Sequence, residues 1–124
     1  MSVTSPQGFT AAGIASGIKQ NGNKDLALVV NNGPDYTAAA VFTANRVAAA
    51  PVHYSRANIQ DNVAKAVILN SGGANACTGK PGYQDTVDTA EKVAQVLNIQ
   101  SQDVLVCSTG LIGERLPMDT VLSG

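Results

Sequence analysis

The sequence predicts a sheet-rich α/β fold of the α+β kind, on three observations. Apolar runs at residues 26–30, 65–70 and 103–107 read as buried strands. An amphipathic helix is written over residues 82–97. The packing residues are small, rich in alanine, valine and glycine with no tryptophan, which lets backbone layers approach closely. A chain of 124 residues with 44% hydrophobic content suits one core, so a single domain or part of one is expected.

Taken in order, the run at 26–30 is closed by Asn31-Asn32-Gly33-Pro34, a strong turn signal. Residues 36–43 (YTAAAVFT) suit a pleated surface, and the short connection predicts an antiparallel hairpin with the first run. Residues 51–54 read as a short strand with Pro51 at its first position or on an edge. A helical turn capped by Ser55 is expected over 55–62, and residues 65–70 resume a buried strand. In the helix over 82–97, Val87, Ala90, Val93, Ala94 and Leu97 recur at three- and four-residue steps, while Asp85, Asp88, Glu91 and Lys92 are expected to point away from the core. Pro81 and the early aspartates mark its N-terminal end. The strand over 103–107 runs into the polar, glycine-bracketed turn 108–113. Leu116-Pro117-Met118-Asp119 then opens a helix. A helix of two turns gains little from its own hydrogen bonds, so a partner surface C-terminal to Gly124 is expected.

Eight basic residues against nine acidic ones, with no run of either sign, leave no electrostatic footprint for nucleic acid or an anionic membrane. The N-terminal residues lack the basic end and apolar core of a signal peptide, and a cytoplasmic protein is expected. Cys77, Cys107 and the single histidine, His53, have no metal-ligand spacing, so no metal or other cofactor is expected. A disulfide between the cysteines is arithmetically open but not needed by such a core.

Two segments could carry chemistry. The loop 70–79 (NSGGANACTG) lies between a strand and a helix, a layout that can bind an anion, yet it has neither the Walker nor the GxGxxG pattern. Its plainer reading is a structural turn in which Asn70 and Asn75 bond the backbone. Cys107-Ser108-Thr109-Gly110 offers a thiol, two hydroxyls and an unhindered backbone N–H. A serine or cysteine nucleophile would need His53 as base, far away in sequence. The Thr109 hydroxyl and Gly110 N–H could instead converge on a developing oxyanion without any ionisable group.

Three stretches, in one order, resemble the bifunctional ornithine/glutamate N-acetyltransferase family of arginine biosynthesis. They are 40–47 (AVFTANRV) with Ala50-Pro51-Val52, the asparagine-glycine loop, and 107–114 (CSTGLIGE) with Leu116-Pro117-Met118-Asp119. Gly8-Phe9 and Gly17-Ile18-Lys19 also fit, so the resemblance covers essentially all of residues 1–124, as the N-terminal part of the family's N-terminal (alpha) subunit. It implies stacked central β-layers flanked by helices, incomplete here. It also implies a precursor that cuts itself before a threonine, which becomes the nucleophile on a C-terminal (beta) chain beyond Gly124. Alone, this chain is expected to be inactive, and an oligomer of processed heterodimers is implied. The implied reaction moves an acetyl group from N-acetylornithine to glutamate; some members also take acetyl-CoA. The resemblance assigns the oxyanion hole to the Thr109 hydroxyl and the Gly110 N–H. On this reading Thr109→Ala removes a donor, whereas Gly110→Ala keeps its N–H and acts only through its methyl group or altered backbone freedom, which makes it the weaker probe. A binding module that holds a small anion and a relative of the self-processing aminopeptidases are the alternatives.

Overall fold

The structure, a computed structural model, describes residues 2–124. Four strands form one mixed sheet in the order β1 (Phe9–Ile14), β2 (Leu26–Asn31), β3 (Ala66–Gly73), β4 (Val104–Leu111). β1 and β3 flank β2 antiparallel, and β4 runs parallel to β3. Parallel neighbours need a long crossover, and α2 (Gly79–Leu97) provides it. Two further helices, α1 (Ala50–Asn58) and α3 (Met118–Ser123), complete a mixed α/β fold.

Strand alternation decides where the core lies. Ala66 and Ile68 on β3 and Val104 and Val106 on β4 are buried together with Leu26, Tyr54 of α1, and Ala90, Val93 and Ala94 of α2. The intervening residues turn to the opposite face, where Leu69 is 36% exposed and Cys107 is exposed. Within this chain the architecture is therefore one β-layer with helices on one face, rather than a complete stack of layers. No helix among the described residues is long and apolar enough to cross a membrane.

The strands expected at 26–30, 65–70 and 103–107 are present, as is the helix that opens near Pro117. Other expectations are corrected. Residues 36–43 form no hairpin strand, because β1 and β3 already occupy both edges of β2; only Thr37 makes a single antiparallel bridge, to Val63. Residues 51–54 belong to α1, with Pro51 in its first turn, where the missing N–H does no harm. Ser55 consequently lies inside a helix and caps nothing. α2 begins at Gly79, so its first turn holds no acid, and Asp85 points inward at 2% exposure. β4 continues to Leu111, which turns the expected loop at 108–111 into strand.

At Val106 the outer edge of β4 is capped by a side chain. Ser55 Oγ accepts a hydrogen bond from the Val106 N–H at 2.9 Å and donates one to the Val106 carbonyl at 3.0 Å. One buried hydroxyl thus satisfies both backbone groups that Val106 directs away from β3. Tyr54 adds a bond from its hydroxyl to the Ser101 carbonyl at 2.8 Å.

Candidate functional site

Thr109 and Gly110 occupy the C-terminal end of β4, opposite Ser71 and Gly72 of β3. The register slips between Gly72 and Gly73, a bulge of the kind that re-aims a strand end. Gly72 and Gly110 have φ values of 118° and 133°, conformations that suit residues without a Cβ. A Cβ on Gly110 would stand 2.6 Å from the Gly72 carbonyl oxygen and 2.7 Å from the Gly73 nitrogen. The two backbones meet there because neither carries a side chain. Gly110→Ala would therefore act through its methyl group and backbone strain, as the sequence reading expects, and the contact with Gly72 makes that effect disruptive.

Thr109 is exposed and shares the parity of Cys107, on the face that the helices leave free. With Leu69 and Ser71 it lines a shallow depression of ≈ 460 Å³. Gly110 has the parity of Val106, whose N–H leaves the sheet toward Ser55. A separate groove of ≈ 440 Å³ beside α2, α3, β1 and β2 is mainly apolar and contains none of the site residues expected from sequence.

Polar clasps hold the segment from three directions. Ser108 Oγ donates to Asn70 Oδ1 at 2.5 Å, and Asn70 Nδ2 donates to the Gly73 carbonyl at 3.0 Å. On the β1–β2 side, Asp25 is 3% exposed and accepts bonds from the N–H groups of Ser16, Gly17 and Lys19 and from the Ser16 hydroxyl. The Lys19 N–H bond foremost, with the Ser16 and Gly17 bonds, holds its carboxyl at about 2, against a desolvation that acts the other way. This fixes the loop whose Ile18 lies beside Gly72. Beyond β4, Arg115 grips the buried Asp85 of α2 with two bonds, Nε to Oδ2 at 2.9 Å and Nη2 to Oδ1 at 2.5 Å. The hydrogen bonds to Asp85 raise the Arg115 guanidinium still further above neutrality.

The other chemical expectations are not drawn together. His53 is exposed on α1, and no hydrogen bond joins its ring to Cys107, Ser108 or Thr109 among the described residues. Cys107 reaches the surface, yet partial burial pushes its thiol up, which disfavours the reactive thiolate. Both cysteines are free. Asn75, fully buried, commits its amide to the Gly82 carbonyl and the Thr86 hydroxyl and accepts from Thr78. The glycine loop thus follows its plainer reading as a structural turn, and the anion-binding alternative is not favoured. Asp25, Asp85 and Arg115 were not singled out as supports of the site. Their partners lie in other elements, and the only local sign was an aspartate directly before an apolar run or inside an amphipathic helix.

The sequence profile of the ArgJ family matches residues 10–124. The chain belongs to the ArgJ family. It is 64% identical over 124 residues to the arginine biosynthesis bifunctional protein ArgJ of Streptomyces avermitilis, covering 100% of this chain and 32% of that protein. The ArgJ protein of Thermobifida fusca is 59% identical over the same length and with the same shares. Among solved structures, ornithine acetyltransferase of Mycobacterium tuberculosis, complexed with ornithine, superposes with a TM-score of 0.98 at 57% identity, over 98% of this chain and 66% of that one. The ArgJ structure from Bacillus halodurans gives 0.95 at 44% identity, over 100% of this chain and 64% of that one. The chain thus spans about a third of the length of the curated ArgJ relatives it matches.

Proposed function

We propose that this chain is the N-terminal part of a self-processing acetyltransferase and supplies its oxyanion hole, with the Thr109 hydroxyl and the Gly110 N–H as donors. The observation that carries the reading is the strand end itself. Gly110 is held at a positive φ against Gly72, next to an exposed threonine hydroxyl. Such a pair can face a charge that develops on a carbonyl oxygen without adding an ionisable group. The similarity to an ornithine acetyltransferase that binds ornithine supports an amino-acid substrate.

The reaction is a double displacement. A threonine hydroxyl, carried on a C-terminal chain released by self-cleavage, attacks the acetyl carbonyl of N-acetylornithine. The carbonyl oxygen becomes an oxyanion, and ornithine departs as its amine takes up a proton. The glutamate amine then attacks the acetyl ester, and the threonine hydroxyl leaves with the proton that returns to it. Both tetrahedral intermediates place negative charge on the same acetyl oxygen, so one pair of donors serves both steps. Acetyl-CoA can enter at the first step by the same chemistry. A cytoplasmic setting and an assembly of processed heterodimers belong to this reading.

The test is intact-mass analysis of the full-length protein before and after N-acetylornithine. The expected result is two polypeptides, the second beginning with threonine and gaining the mass of one acetyl group. A single uncut chain that gains no acetyl group overturns the reading.

A further inference from the structure

We propose that Asn70 and Ser108 are positioning residues, a polar clasp that sets the direction of the Thr109 hydroxyl and the Gly110 N–H. The proposal rests on the oxyanion reading of those two groups. Asn70 follows Ala66 and Ile68 in strand alternation, on the face that packs against the helices, and is 7% exposed. An apolar side chain fits such a place; a buried amide stays only when its polar atoms are bonded.

Those bonds fall on both sides of the candidate site. Asn70 Oδ1 accepts from Ser108, the residue directly before Thr109, at 2.5 Å. Asn70 Nδ2 donates to the Gly73 carbonyl at 3.0 Å, closing a three-residue loop across the register slip at Gly72 and Gly73. Gly72 is the residue against which Gly110 packs. One amide therefore ties the bulge that supports Gly110 to the strand residue that precedes Thr109. The clasp touches no substrate; it acts through the two donors. Oxyanion donors act only when their direction is fixed in advance, and misplacement on the scale of an ångström lowers the rate by about a hundredfold.

The experiment is steady-state kinetics on the mature full-length enzyme carrying Ser108→Ala, Ser108→Thr, Thr109→Ala and the double change of Ser108 and Thr109 to alanine. Ser108→Ala is expected to lower kcat about tenfold with KM changed less than about twofold. Ser108→Thr, which keeps a hydroxyl, is expected to restore turnover. In the Thr109→Ala background the Ser108 effect is expected to shrink to about two- or threefold, since half of what the clasp positions is gone. Asn70→Ala removes both bonds and is expected to give the larger loss; if it fails to fold, the Ser108 series decides. Unchanged kcat in Ser108→Ala, or an effect of the same size with and without Thr109, overturns the positioning role alone. Normal turnover in Thr109→Ala overturns the oxyanion reading, and the clasp's role falls with it.

Discussion

Gly110 packs backbone to backbone against Gly72, so closely that a methyl group on Gly110 would stand 2.6 Å from the Gly72 carbonyl oxygen. Its φ of 133° lies where side chains are rarely tolerated. Gly110→Ala is therefore expected to destabilise the full-length protein by about 2–4 kcal/mol through clash and backbone strain together. Thermal denaturation of the variant checks this; an unchanged midpoint would show that the strand end can open without loss.

Thr109→Ala should behave in the opposite way. The side chain is exposed and makes no hydrogen bond among the described residues, so stability should stay within about 0.5 kcal/mol of the parent. Turnover should fall by roughly a hundred- to a thousandfold, the usual effect of losing one oxyanion donor. Comparing kcat with the melting midpoint of the same sample separates the two effects.

Arg115 and Asp85 couple the segment after β4 to α2. Arg115→Ala leaves a carboxylate at 2% exposure without its cation, and a loss of stability is expected, tempered because the Arg115 side chain is 57% exposed. Adding Asp85→Asn to Arg115→Ala removes the stranded charge. The double variant should recover part of the loss in urea denaturation, whereas independent effects would simply add.

Asp25 predicts an acid limb in stability. Its folded pKa of about 2 lies below the ordinary 3.8, so the folded state holds its proton less tightly than the unfolded chain does. The stabilisation is complete above 3.8 and is lost as pH falls through about 2. Asp25→Asn should be less stable than the parent at neutral pH, and the gap should narrow as the buffer is taken down through that window. Parallel urea curves across the acid range that keep a constant gap would refute the assignment.

Much of the sheet was legible because its strands are buried. The runs beginning at Leu26, Lys65 and Asp103 contain enough aliphatic residues to mark a core without a partner being known. β1 was not foreseen. Its sequence, FTAAGI, is short, mostly small and largely exposed, and its pairing with β2 across the intervening loop leaves no local trace. The segment 36–43 failed for the complementary reason. Its composition suits a strand, but β2 had no free edge, so tertiary competition overrode propensity. Pro51 was ambiguous because an edge strand and the first turn of a helix tolerate the same missing N–H. Thr109 and Gly110 were visible as chemistry, whereas the contact of Gly110 with Gly72 depends on a strand pairing that spacing cannot give.

The bonds between Ser55 and Val106 also guard the outer edge of β4. With a hydroxyl seated on the outer backbone of β4, a foreign strand that tried to dock there would have to displace α1 and strip two satisfied hydrogen bonds. Edge addition along this stretch of β4, whether in assembly or in misfolding, is thereby disfavoured.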